Sequence, residues 1–320
     1  MPSDSPGRAC PVSYRYDSGI FQNAEALRAE TLWIAGGLYG NPFALERLIE
    51  LYVREPGSKA LVFNGDFHWF DVHENQFLKI EDVVGQHFAT RGNVETELGA
   101  PTQNSGCGCG YPEWVDDETV LQSNSIIERL RRTADRFPET TRRLAALPMH
   151  LLVEAGGERV AIVHGDAESL AGWGFSQESL SSPAGLDAAR RSIERAGVRI
   201  FASSHTCLPV LQPFAGGQIV VNNGAAGMPN FRGTRFGIAT RISVRPSKDA
   251  LYSERSGSLF VEAIPLDYDA RAWEECFLAQ WPAGSAAHRS YYGRIVEGPR
   301  YAVGEALRCA PPTRSPRLAA

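Results

Sequence analysis

Short apolar runs that end on glycine or on a polar residue set the rhythm of the first two-thirds of the chain. Leu32-Trp33-Ile34-Ala35, Leu61-Val62-Phe63, Val160-Ala161-Ile162-Val163, Ile200-Phe201-Ala202 and Ile219-Val220-Val221 have the length and continuity of strands covered on both faces. Between the first two, Asn41 stands at an N-cap position and Pro42 at the first helical position. Leu45, Leu48, Ile49 and Tyr52 then recur at helical spacing until Pro56-Gly57. A strand, a helix and a second strand make a unit with a right-handed crossover, which brings the glycine-rich loop 36–41 and the Gly65-Asp66 turn to one sheet edge. Further on, the pattern predicts a helix over about 117–137, a second short helix after Pro138, and a hairpin through Gly156-Gly157. A helix near 187–196 ends at Gly197, strands lie around 237–243 and 258–264, and a last helix spans 270–280. The first thirty residues, with Pro2, Pro6, Gly7 and Pro11, read as an arm that either lies on the core or is disordered, with order beginning at Thr31. Residues 31–283 form the domain, interrupted by a cysteine-containing insertion near 100–116, and 284–320, with Pro299, Pro311, Pro312 and Pro316, read as a tail.

The strand ends carry the chemistry. Open α/β sheets hold their ligands just outside the carboxyl ends of the strands, and there the chain places Asp66, Asn93, His164 and His205, each after a different strand. Taken singly, an Asp-Gly turn or an edge histidine is ordinary turn chemistry. Four oxygen and imidazole ligands at successive strand ends suit a metal site. Composition narrows the field. A net charge of −5 and a pI near 5.9 leave no broad basic surface, so neither nucleic acid nor an anionic membrane is an expected partner, and a small anion would need a local site. No basic-then-apolar leader and no apolar run of spanning length is present, which points to the cytoplasm. The six cysteines, at 10, 107, 109, 207, 276 and 309, are too sparse for a disulfide scaffold and are expected as thiols or metal ligands.

In order and spacing these junctions resemble the calcineurin-like metallophosphoesterases, whose motifs run D-x-H, G-D-x-x-D, G-N-H-D/E, H-G and G-H-x-H. The likeness spans about residues 31–229, and Asn222-Asn223-Gly224-Ala225-Ala226-Gly227-Met228-Pro229 resembles the family's closing N-P-G-S-x-G-x-P segment. The resemblance implies an α/β fold, a calcineurin-like metallophosphoesterase sandwich of two mixed β-sheets flanked by helices, with a two-metal centre at the carboxyl edge. The chain departs from the pattern at specific places. Gly37-Leu38-Tyr39 stands for D-x-H, Trp69 for the second Asp of G-D-x-x-D, Val94 for the family's catalytic imidazole, and Cys207 for the second imidazole of G-H-x-H. The resemblance implies that one metal position keeps its full set, Asp66, Asn93, His164 and His205, and that the other has lost its ligands. Gly37 and Tyr39 are expected to line the lost position, with Tyr39 filling volume or bonding phosphate. Cys207 falls on a ligand position, and with Cys107 and Cys109 it would make a softer site suited to zinc or iron. The alternative is a small buried Cys207 beside a glycine-rich surface loop.

The functional expectation is a divergent metal-dependent phosphoesterase that uses manganese, iron or zinc on a small phosphorylated substrate, an ester or an anhydride. A bound cation brings the pKa of its water from about 15.7 toward 7, so one intact site suffices for hydroxide attack on phosphorus. Val94 cannot protonate a leaving group, which leaves His68, Asp71 and Asp166 as candidate catalytic residues. Two other classes compete: a catalytically silent metal- or phosphate-binding module, and a thiol-metal enzyme with altered chemistry.

Overall fold

A computed structural model of the chain describes residues 5–310. In chain order the strands are β1 (Ala26–Ala29), β2 (Thr31–Ala35), β3 (Lys59–Asn64), β4 (Phe88–Thr90), β5 (His150–Ala155) and β6 (Glu158–Val163). They continue as β7 (Ile200–Ser203), β8 (Val210–Pro213), β9 (Ile219–Asn222), β10 (Gly237–Ser243), β11 (Tyr252–Ser256) and β12 (Leu259–Leu266). They form two six-stranded mixed sheets, β1-β5-β6-β7-β9-β8 and β11-β12-β10-β2-β3-β4. The parallel set β6-β7-β9 lies inside its sheet, and the parallel set β2-β3-β4 runs from the middle of the other sheet to its edge at β4.

The period-two alternation of a strand explains why the apolar runs are unbroken. Leu32, Ile34 and Val62 face Val160, Ile162, Ile200, Ala202, Ile219 and Val221 of the other sheet in one shared core. Their neighbours Trp33, Leu61 and Phe63 point the other way, onto Leu45 and Leu48 of the helix Pro42–Arg54 and Phe77 and Ile80 of the helix Glu74–Val84. Ala161, Val163, Phe201 and Val220 likewise cover Ala189 and Ile193 of the helix Pro183–Ala196. Both faces of both sheets are therefore covered, and the open ground is at the strand ends. The Asn41 side chain caps its helix by accepting from the amides of Phe43 and Ala44, as the sequence pattern predicts.

Two terminal expectations are corrected. The chain is ordered before Thr31: β1 pairs in parallel with β5, and Tyr14 and Phe21 are buried. Past residue 283, the helix Ala286–Glu297 packs on the helix Asp117–Ala134, and Tyr301 and Ala306 enter the inter-sheet core. In both stretches, prolines mark turns between packed pieces. The expectations drawn from Pro2 and from Pro311, Pro312 and Pro316 fall on residues outside the described ones. No helix among the described residues is long and apolar enough to cross a membrane.

One buried polar cluster belongs to this framework. His68 Nδ1 meets Asp71 Oδ2 at 2.6 Å and its Nε2 meets Glu81 Oε1 at 2.7 Å, while Arg143 closes the far side of Glu81. Burial works against a charged imidazole, but the two carboxylates outweigh it and hold the His68 pKa up to about 10. The raised value means that His68 stabilises the fold fully below its ordinary value of 6.5, and that this contribution is lost as pH rises through about 10. His68→Gln should cost about 3–5 kcal/mol in denaturant unfolding near neutral pH, because it strands buried carboxylates. The gap from wild type should narrow as pH climbs toward 10, and a gap that is independent of pH would show His68 to be uncharged in the fold.

Candidate metal centre

The centre is assembled from four strand ends. After β3 the chain turns through Gly65 (φ 73°) and Asp66 (φ 52°), and the carboxylate of Glu95 gathers the amides of Asp66 (2.8 Å), Phe67 (3.1 Å) and Gly92 (2.8 Å) to hold that turn. The Val94 amide donates to Asp66 Oδ1 (3.2 Å). A side chain at Gly65 would strike the His164 ring and one at Gly92 would strike Asp66, so both glycines are required by the close approach of these residues. Asn93 opens the short helix Asn93–Gly99 after β4, His164 follows β6 directly, and His205 follows β7.

His164 Nδ1 lies 2.8 Å from the carbonyl of Asn64 and therefore donates to it, which leaves Nε2 facing the interior of the cluster. That nitrogen sits 3.2 Å from Asn93 Oδ1 and 3.4 Å from Asp66 Oδ2. His205 Nε2 donates to the Cys109 carbonyl (2.8 Å), which turns its Nδ1 to within 3.3 Å of the same His164 nitrogen. The Asn93 amide group donates to the Cys107 carbonyl (2.9 Å), so its oxygen points inward. Carboxylate, amide oxygen and two imidazole nitrogens thus aim lone pairs at one point, all from buried side chains, and the ligand atoms of Asp66, His164 and His205 lie within 4.8 Å of one another. Acceptors do not converge in this way without a positive charge between them, and this donor set fits a divalent cation. In the absence of a cation a proton answers the same demand. Burial opposes charging His164, but Asp66 and the Asn64 carbonyl outweigh it and raise its pKa, while burial and the neighbouring His164 push His205 down to about 4.

No protein-family model matches the chain, and no curated protein matches it. Solved structures do. The chain superposes on a hypothetical protein from Pyrococcus horikoshii OT3 with a TM-score of 0.57 and 14% identity, covering 86% of this chain and 100% of that one. It superposes on a metallophosphoesterase from Sphaerobacter thermophilus with a TM-score of 0.54 and 13% identity, covering 84% and 100%. The chain has the calcineurin-like metallophosphoesterase fold.

Set on that fold, the residues expected to share one metal position, Asp66, Asn93, His164 and His205, do come together, and the substituted residues lie beside them. Tyr39 (φ 54°) lays its ring over Gly37, so that a side chain at 37 would meet the ring within 2.1–2.4 Å, and its hydroxyl lies 2.8 Å from Cys207 Sγ. Tyr39 thus fills the space over Gly37, in the stretch that the sequence resemblance matches to D-x-H. Among the described residues four non-glycine residues adopt left-handed backbone, and three of them, Tyr39, Asp66 and Cys207, line this cleft. Each costs on the order of 1–2 kcal/mol, and residues strained in this way cluster at functional sites in proteins generally. No sequence pattern announces the strain.

Other expectations are corrected. Cys207 stays outside the ligand cluster, bonded to the Tyr39 hydroxyl, and burial raises its pKa despite the pull of Arg294, so the thiol stays protonated. Cys107 and Cys109 do not reach toward it as ligands, because they are joined to each other in a disulfide. His68 and Asp71 are buried in their ion-pair cluster and do not line the cleft. Asp166 is spent on its own loop, accepting from the amides of Glu168, Ser169 and Gly174, and it too lies outside the cleft. None of the three is placed to serve as a proton donor there. The sequence reading also passed over Asn64 and Glu95, which orient the ligands. Glu95 fills the last place of the G-N-H-D/E pattern, which was its available signal.

Metal analysis of protein purified without chelator should find about one equivalent per chain. Asp66→Ala and His205→Ala should lose it, and Cys207→Ser should keep it. Loss of the metal in Cys207→Ser would return that sulfur to the ligand set.

Proposed function

We propose that the protein is a metal-dependent phosphoric ester hydrolase acting on a small phosphate ester or anhydride that carries a good leaving group. The observation that supports this reading is the convergence of the Asp66, Asn93, His164 and His205 lone pairs on one point of a metallophosphoesterase fold. Mixed oxygen and imidazole donors suit manganese, iron or zinc, and such a cation supplies Lewis-acid polarisation of a phosphoryl oxygen when bound.

The protein's own residues do the rest. The cleft beside the cluster has room for about 60 Å³ and is walled by Tyr39, Trp69, Tyr111, Trp173 and Tyr291, dimensions that favour a small reacting group and keep bulk water away. Burial raises the phenols of Tyr39 and Tyr291 and pushes Tyr111 up to about 12, so at neutral pH all three remain hydrogen-bond donors for phosphate oxygens. Among the described residues no lysine or arginine lines the cleft, so on this reading neutralisation of phosphate charge falls to the cation and these hydroxyls. Val94 lines the cleft with methyl groups, at the position the sequence resemblance matches to the family's catalytic imidazole, so on this reading departure of the product depends on the leaving group's own acidity.

A second reading is favoured by Tyr39: a ring locked over the vacated ligand position suits a module that binds metal or phosphate without turnover. Substrate comparison separates the two. An activated aryl phosphate should be hydrolysed, and an alkyl phosphate should lag by more than the about 10²-fold that a missing general acid typically costs. Absence of turnover on the aryl ester by metal-loaded protein would decide for the binding module. Rebuilding the lost position tests the same assignment. Gly37→Asp alone should destabilise the fold by colliding with Tyr39, whereas Gly37→Asp combined with Tyr39→His should recover stability and raise metal content toward two equivalents. If the double variant still binds about one equivalent, vacancy of that position does not explain the one-metal centre.

A further inference from the structure

The loop 106–110 is built as a cradle. Gly106, Gly108 and Gly110 all have left-handed backbone, with φ of 60°, 66° and 57°. A side chain at Gly106 would strike Asn124, and one at Gly108 would strike the Tyr14 hydroxyl. The Cys107 amide is tied to Asn124 Oδ1 (2.9 Å). Within this cradle the Cys107–Cys109 disulfide joins the two residues whose carbonyls orient the candidate ligands. The Cys107 carbonyl accepts from Asn93 Nδ2 (2.9 Å), and the Cys109 carbonyl accepts from His205 Nε2 (2.8 Å) and from Trp173 Nε1 (3.1 Å). Two of the four inward-facing donors are therefore aimed by one disulfide-closed loop. The two residues differ in place: Cys109 lines the cleft and is 7% exposed, whereas Cys107 is fully buried.

We propose that Cys107 and Cys109 form a reversible thiol–disulfide site that sets the cation affinity of the adjacent centre. The disulfide form holds both carbonyls where Asn93 and His205 need them, and the dithiol form lets the loop relax and lowers affinity. This rests on the metal-centre reading above. A small dithiol is the reductant. Its thiolate attacks Cys109 Sγ from the cleft, the S–S bond breaks, and the electron pair leaves on Cys107 sulfur, which takes up a proton. The reductant's second thiol then displaces Cys109 as a thiol, so that the protein disulfide and the dithiol become the protein dithiol and the reductant's cyclic disulfide.

The test uses the full chain in two forms, as oxidised and after treatment with dithiothreitol followed by anaerobic desalting. Thiol titration should count two more thiols in the treated form, and Mn²⁺ titration calorimetry should show it binding about 10–100-fold more weakly, the range set by losing partners that orient metal ligands. The Cys107→Ser, Cys109→Ser double variant should bind like the reduced protein and ignore dithiothreitol. Equal or tighter Mn²⁺ binding by protein shown to carry the two extra thiols would overturn this proposal and leave the metal centre standing. Failure to gain thiols would overturn the reversibility. Absence of Mn²⁺ binding in both forms would overturn the metal reading itself, and the proposal with it. The wild-type comparison holds even if the double variant does not fold.

Discussion

Asn64 is the residue on which the geometry of the centre depends. It ends β3 in one sheet, fully buried, and its side-chain amide donates across the gap to the Val163 carbonyl (2.9 Å) at the end of β6 and to Ser204 Oγ (2.8 Å) beyond β7. Its Oδ1 accepts from Thr90 Oγ1 (2.9 Å) at the end of β4, and its backbone carbonyl accepts from His164 Nδ1. One residue thus pins the carboxyl ends of four strands from two sheets and selects the histidine tautomer. Apolar contact between the sheets is non-directional and would tolerate sliding, whereas these hydrogen bonds, made in a dry interior, do not. The position of Asp66 relative to His164 is therefore set by the inter-sheet seam more than by either sheet alone.

A different economy governs the other half of the site. In the stretch that the sequence resemblance matches to D-x-H, the chain has bulk and a hydrogen bond: the Tyr39 ring covers Gly37, and its hydroxyl meets a protonated Cys207. Arg294 reaches in from the helix Ala286–Glu297 to donate to the Cys207 carbonyl (3.0 Å) and the Pro229 carbonyl (3.1 Å), tying down the left-handed residue behind the thiol. The substitutions at 37, 39 and 207 are mutually consistent in space, because a large ring at 39 needs glycine at 37 and finds its polar partner at 207.

Much of this was legible in the chain. Unbroken apolar runs predicted the central strands, because burial on both faces removes the polar alternation, and Asn41-Pro42 predicted its helix start through cap chemistry that is local in sequence. The four cluster residues were visible because each follows a strand whose end is itself visible. What stayed hidden depended on contacts between distant residues. His68 resembled a cleft residue by its place near Asp66, but its partner Glu81 is thirteen residues on and turns the ring into a structural cation. Cys107 and Cys109 suggested metal thiolates, since spacing does not say whether two sulfurs face a third or each other. β1 and the helix Ala286–Glu297 sit among prolines and were read as arm and tail, although their apolar residues are satisfied by neighbours more than a hundred residues away.

The enclosure of the cleft has a consequence for how the centre behaves. The candidate ligands Asp66, Asn93, His164 and His205 each follow a strand end, whereas the walls draw on Tyr39, on Tyr111 and Cys109 of the inserted loop, on Trp173, and on Tyr291 from near the end of the chain. Trp173 rests edge-on against His205 with ring centroids 5.6 Å apart and against Trp114 at 5.3 Å, so the wall and the ligand are in direct contact. A segment that packs mainly through loop contacts opens at lower free energy than sheet-borne residues held by paired strands. The candidate ligands follow paired strands, and among the walls Tyr111 and Trp173 lie in loops whereas Tyr291 lies in the packed helix Ala286–Glu297.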